Sequence, residues 1–312
     1  MKTIRSTFLI SSAFAIAVIA GQGIAQTDPT IESIGAVNEG NYTMAAANIV
    51  EESADKVSML SGFTVTEVEF TSMDVPPSEF KIRLAKQKGL PAPEGTPGLP
   101  VKAILTKPEG KGPFPAVVMF SATGGWRDTP GHWRKRLNAW GYVTLELGDR
   151  NEVLRPQPTN HALDAIGALK YLRKIPSVDK DRVAVMGWSM VARAALWAID
   201  NSSWAGKHGD RFVAAIAIYP GCFRSYADQL FSPALIISAE FDHFSRPVDC
   251  ERLVKNIPPG FVVPTHKVIP GAYHWFDLSH RPAETYGATY EYNAKATEAA
   301  ANHVRSFLEA NF

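Results

Sequence analysis

The stretch Val183-Ala184-Val185-Met186-Gly187-Trp188-Ser189-Met190-Val191-Ala192-Arg193-Ala194-Ala195-Leu196 constrains this chain more than any other. It opens as a β-branched, apolar run, the pattern of a strand buried on both faces. It closes as an alanine-rich helix. The chain must therefore pass from strand to helix almost at once. A turn that sharp leaves its apex residue in a strained backbone conformation and holds the side chain out above the sheet. With serine at the apex the pattern is a nucleophile elbow, written G-x-S-x-G. Here it reads Gly187-x-Ser189-x-Val191, without the second glycine. The competing reading is a buried strand followed by a helix that uses serine as an ordinary N-cap.

The flanking sequence decides what surrounds this turn. From Phe114 onward, short apolar runs alternate with longer helical patterns. Strands are expected at Pro115 to Ser121, Tyr142 to Leu147, Phe212 to Tyr219, Ala234 to Ala239 and, more polar, Thr265 to Ile269. Helices are expected at Trp133 to Trp140, His161 to Ile175, from the elbow to Ile199, and at Thr297 to Leu308. Such alternation implies an α/β fold, a parallel sheet with helices on both faces. Ligands in these sheets bind at the carboxyl ends of the strands. Before Phe114, Val65 to Phe70 and Val101 to Thr106 alternate as strands, and the proline- and glycine-rich Gly89 to Gly98 reads as a loop or hairpin end. Residues 26–62 form an N-terminal extension in which Met44 to Leu60 has the pattern of an amphipathic helix.

A serine hydroxyl is a poor nucleophile near neutral pH. It needs a base within hydrogen-bond reach and a third group to orient that base. In this architecture the partners follow in the order serine, acid, histidine, so an acid should close a later strand and a histidine a still later one. The strand Ala234 to Ala239 runs into Glu240-Phe241-Asp242-His243, which makes Asp242 the candidate acid and Glu240 its rival. The strand Thr265 to Ile269 runs into Pro270-Gly271-Ala272-Tyr273-His274-Trp275-Phe276-Asp277. Of the eight histidines, His274 alone has both the right order and the right strand end. As a general base its imidazole must be neutral, so activity should fall below roughly pH 6 to 7.

Acyl transfer also needs backbone donors for the oxyanion. The N–H of Met190, after the serine, is one. The loop Ser121-Ala122-Thr123-Gly124-Gly125-Trp126 carries two glycines that let backbone approach a ligand closely, and Thr123 is the candidate second donor. Trp126, Trp188, Tyr273, Trp275 and Phe244 are candidates for an aromatic, substrate-binding mouth, with half-buried packing as the alternative for each.

The start of the chain reads as a secretory leader of the bacterial type. Lys2 and Arg5 form a basic region, Phe8 to Ala20 an apolar one too short to span a bilayer comfortably, and Gly23-Ile24-Ala25 a cleavage site. Residues 1–25 are therefore expected to be removed, leaving an exported protein, periplasmic or secreted, with no stable membrane insertion. Export bears on Cys222 and Cys250, the only cysteines. In an oxidising compartment they form either one bridge or two buried thiols. Cysteine and histidine spacings suggest no metal site, and no cofactor is expected. The net charge of +1 gives no reason to expect nucleic acid as a partner; the expected partner is a small-molecule ester.

Taken together, these residues resemble the dienelactone hydrolase family of the α/β-hydrolase superfamily. The resemblance runs from about Phe114 to the C-terminus and rests on Gly187-Trp188-Ser189-Met190, Tyr219-Pro220-Gly221-Cys222, Glu240-Phe241-Asp242 and, most specifically, the loop Pro270 to Asp277. It implies an α/β-hydrolase domain over residues 63–312, a mostly parallel eight-stranded sheet without a metal, and Ser189, His274 and Asp242 as nucleophile, base and orienting acid. The chain departs from the family in three places. Its nucleophile is serine where the best-known members use cysteine, which favours a general ester hydrolase over a lactone-opening one. The oxyanion loop begins Ser121-Ala122 where relatives often have His-Gly. Val191 stands where relatives carry glycine.

The leading functional expectation is a serine carboxylic-ester hydrolase working through an acyl-enzyme. A thioesterase or peptidase with the same triad is the alternative among enzymes. Outside them stands a binding protein whose turnover Val191 has weakened, in which Val191→Gly would restore activity.

Overall fold

The computed structural model describes residues 62–120, 128–148, 158–222, 227–279, 284–285 and 288–312. The expected leader, the extension up to residue 61, and the loop that contains Thr123 and Trp126 lie outside the described residues. No helix among the described residues is long and apolar enough to cross a membrane.

Eight strands form one sheet. They are β1 (Phe63–Thr71), β2 (Pro100–Pro108), β3 (Phe114–Phe120), β4 (Val143–Leu147), β5 (Val178–Trp188), β6 (Ala214–Ile218), β7 (Ala234–Ala239) and β8 (Thr265–Ile269). Their spatial order is β1-β2-β4-β3-β5-β6-β7-β8. β2 runs antiparallel to both β1 and β4, and every later pairing is parallel. This is the α/β-hydrolase fold that the resemblance implies. A small antiparallel ribbon, β9 (Glu284–Thr285) and β10 (Ala288–Thr289), precedes the last helix.

The central strands show why continuous apolar runs were needed. Successive residues point to opposite faces, and both faces are covered. Val183 and Val185 of β5 join one core with Ala116, Val118, Ala215, Ala217 and Ile236. Ala184, Met186 and Trp188 join the other with Val117, Met119, Ile216, Ile218 and Ile237. Helices α2 (Asp128–Ala139) and α7 (Ala294–Asn311) close the second core, while α3 (Pro158–Leu172), α4 (Ser189–Trp197) and α6 (Pro247–Lys255) close the first. The strand β8, at the sheet edge, is mostly exposed, which accounts for its more polar sequence.

Three helices lie outside the sequence expectation. A helix α1 (Glu79–Gln87), capped by Ser78, precedes the Gly89 to Gly98 loop. It buries no residue, so no hydrophobic stripe announced it. A short helix α5 (Trp204–His208) follows α4. Helix α6 follows Asp242; its signals are Pro247 in the first turn, Asp249 beside it, and Arg252 and Lys255 in the last.

The turn from β5 into α4 depends on Gly187. A Cβ placed there would lie 2.7 Å from the carbonyl oxygen of Val191 and 3.0 Å from the Phe120 ring. The contact is with backbone, which cannot swing aside. Gly187→Ala is therefore expected to lower the unfolding free energy by about 1–3 kcal/mol, measurable as a lower denaturation midpoint with unchanged m-value.

Candidate active site

Ser189 is not an N-cap. The capping position is Trp188, which has extended backbone (φ −125°, ψ 143°) and makes no side-chain capping bond. Ser189 is the first residue of α4 and has φ 53°, in the left-handed region that L-residues with a Cβ avoid. That conformation costs on the order of 1–3 kcal/mol and turns the side chain away from both elements. The serine Oγ lies 2.9 Å from Nε2 of His274, and His274 Nδ1 lies 2.6 Å from Oδ2 of Asp242.

The acid and the imidazole are both buried, Asp242 being 4% and His274 3% exposed. The other carboxylate oxygen of Asp242 accepts from the backbone N–H groups of Phe244 at 2.9 Å and Ser245 at 2.8 Å. A carboxylate only accepts, so in the neutral imidazole the single N–H lies on Nδ1 facing Asp242, and Nε2 is left as the acceptor toward the serine hydroxyl. The loops after β7 and β8 are tied directly to each other. Phe241 N–H donates to Ala272 O at 2.8 Å, Glu240 N–H to Ile269 O at 3.1 Å, and Gly271 N–H to Glu240 Oε2 at 2.7 Å. Glu240, the rival acid, thus supports the histidine loop through Gly271. Asn293, the N-cap of α7, donates its N–H to Phe276 O at 2.8 Å and anchors the far end of that loop.

The remaining candidates divide. Met190 is the second residue of α4, so its N–H has no intrahelical acceptor. Its side chain is exposed. Phe244 is exposed, with its ring 5.6 Å from that of His274. Trp275 is half-buried, 5.1 Å from His274 and stacked on Tyr290 at 4.6 Å, and Tyr273 packs on Phe241 at 5.5 Å. Trp188 corrects the expectation of an aromatic mouth. It is fully buried in the second core, 6.3 Å from Trp133, and lines no opening. The period-two alternation explains this: residues 184, 186 and 188 share one inward face. Arg246 forks onto Asp249 through two hydrogen bonds. His266 is structural: its Nε2 meets Ser238 Oγ at 2.8 Å, and burial holds its imidazole pKa below the usual value.

Cys222 and Cys250 are joined in a disulfide, the first of the two readings open for them. Cys222 lies just beyond β6 and Cys250 within α6, so the bridge ties the exit of one site strand to the helix behind the Asp242 loop.

Comparison with known proteins adds the family. The model of the dienelactone hydrolase family matches residues 149–312, just over half of the chain. The chain belongs to the dienelactone hydrolase family. It is accordingly a hydrolase of the α/β-hydrolase fold. No curated protein matched it. Among solved structures it is similar to the dienelactone hydrolase-like promiscuous phosphotriesterase P91 from metagenomic libraries, at 17% identity and TM-score 0.61, over 81% of this chain and 100% of that one. It is similar to the esterase of the archaeon Pyrobaculum calidifontis at 15% identity and TM-score 0.57, over 86% and 93%. It also matches Porphyromonas gingivalis dipeptidyl peptidase 4 at 17% identity and TM-score 0.51, over 69% of this chain and 34% of that longer one.

The departure at Val191 falls in the interior and not at the surface of the site. Its side chain is fully buried in the first core, and the close approach that the missing glycine would provide is met by Gly187 against the Val191 carbonyl. Val191→Gly is expected to lose about 2–4 kcal/mol of stability by opening a cavity and loosening a helix, and to yield no gain in hydrolysis. Thermal melts and initial rates on the purified variant check both.

Proposed function

We propose that this chain is a serine carboxylic-ester hydrolase in which Ser189 is the nucleophile, His274 the general base and Asp242 the acid that orients it. The observation that carries this reading is the continuous hydrogen-bonded line Ser189–His274–Asp242, with the serine raised on a positive-φ turn at a strand end. Ser189 Oγ attacks the acyl carbon while its proton passes to Nε2 of His274. The resulting imidazolium is stabilised by the buried Asp242 carboxylate. The oxyanion is held by the Met190 N–H, at the positive end of α4, and by the Thr123 N–H. Collapse of the tetrahedral species expels the alcohol, which takes the proton from His274, and leaves an acyl-serine. Water then gives its proton to His274 and attacks the acyl carbon, releasing the carboxylic acid and restoring the serine.

The exposed apolar side chains of Met190 and Phe244 beside the serine and the histidine support an ester with an apolar portion. A leader with a basic and then an apolar region, together with the disulfide, supports action after export, where a bridge persists. P91 and the peptidase named above show that neighbouring folds serve other chemistries, so the decisive test compares substrates. On a panel of carboxylic esters, thioesters, peptide amides and phosphotriesters, the carboxylic esters are expected to give the highest kcat/KM. Ser189→Ala is expected to lower that value by at least about 10³-fold. Retention of ester hydrolysis by Ser189→Ala overturns the assignment.

A further inference from the structure

The loop that carries His274 ends in a second buried carboxylate that the proposed reaction does not use. Asp277 is 3% exposed, and two neutral donors from different elements converge on it. Tyr219 donates its hydroxyl to Oδ1 at 2.7 Å, and Trp133 donates Nε1–H to Oδ2 at 2.7 Å. His132 Nε2 lies 3.9 Å from the same Oδ2. Burying a carboxylate is costly unless its oxygens are satisfied, and here they are satisfied by groups aimed at the site. Tyr219 is fully buried just past β6, with φ 39°, an unusual conformation for tyrosine. Its ring lies 4.6 Å from that of His274, at 55° between planes. Trp133 in turn packs against Trp188, the residue before the serine.

We infer that Asp277 is a positioning residue for His274: by fixing the Tyr219 hydroxyl, it holds the Tyr219 ring as a wall that keeps the imidazole in line between Ser189 and Asp242. The inference rests on the triad reading above. Mechanically, the imidazole is fixed at its two nitrogens by Asp242 and Ser189, but two hydrogen bonds in one line do not prevent rotation about that line. The Tyr219 ring supplies the closest lateral contact, with Trp275 at 5.1 Å, Phe244 at 5.6 Å and Tyr290 at 6.5 Å as further ring neighbours. Asp277 is three residues beyond His274 on the same loop, so one carboxylate joins that loop to the β6 exit and to α2. Without the anchor, the tyrosine hydroxyl loses its bond to this loop, and the ring beside the imidazole loses the contact that fixes its plane.

The test compares Asp277→Asn, Tyr219→Phe, the double variant and Ser189→Ala on one soluble ester. Each of the first two is expected to lower kcat roughly 10- to 100-fold, as small misplacements of a catalytic group do, with KM changed by less than about twofold. The double variant should be no slower than the slower single, because both act through one contact. In Tyr219→Phe the downfield proton resonance of the His274 Nδ1–H bond should broaden at temperatures far below the variant's melting midpoint, where unfolding does not contribute. A folded Asp277→Asn with wild-type kcat, or single effects that multiply in the double variant, overturns the inference. If Asp277→Asn does not fold, Tyr219→Phe decides alone: an unchanged kcat and an unbroadened resonance overturn it. Activity retained by Ser189→Ala instead brings down the triad reading beneath it, so the two failures are distinct.

Discussion

The structure turns on one residue being held where a polypeptide chain resists going. A side chain on a strand or on a helix is surrounded by its own element's neighbours. Ser189 escapes both because it adopts φ 53° between β5 and α4. That conformation is tolerated because the elements on either side leave no alternative. Gly187 brings the Val191 carbonyl within 2.7 Å of where a Cβ would stand, and Trp188 is buried in the core immediately before the serine. Tightly packed interiors transmit such constraints because they do not deform gradually. The strain is stored at the site and supported by the two cores around it.

The rest of the site follows from parallel strand order. The strands β6, β7 and β8 lie successively beyond β5, so the loops at their carboxyl ends reach the serine in turn. The loop after β6 brings Tyr219 against the imidazole, the loop after β7 brings Asp242, and the loop after β8 brings His274. Backbone bonds join the last two loops, and the Cys222–Cys250 bridge ties the first to α6. The sheet places residues far apart in the chain within hydrogen-bond distance without any of them needing a long side chain.

Much of this is legible in the sequence. The strands Ala234–Ala239 and Thr265–Ile269 have the bounds that their sequence predicts, because each is a short run closed by turn residues. His274 was separable from the other histidines by order and strand end alone. Other features had no local signature. The helix Glu79–Gln87 buries nothing, so its periodicity carries no signal. Whether Cys222 and Cys250 were bridged depended on their separation in space. Asp277 looked like one more loop acid, since nothing in Phe276-Asp277-Leu278 tells that donors from Trp133 and Tyr219 meet there. Trp188 is the instructive case. Of its two readings, mouth or packing, the structure takes packing, and the alternation of Ala184, Met186 and Trp188 already directs it into the core.

The most direct test of the account is the site of covalent capture by a fluorophosphonate. If the imidazole activates the raised hydroxyl, folded protein forms one adduct per chain, mass spectrometry locates it on the peptide that contains Ser189, and neither unfolded protein nor His274→Ala reacts at a comparable rate. An active preparation in which Ser189 remains unmodified, or in which the adduct forms at another residue, contradicts the account.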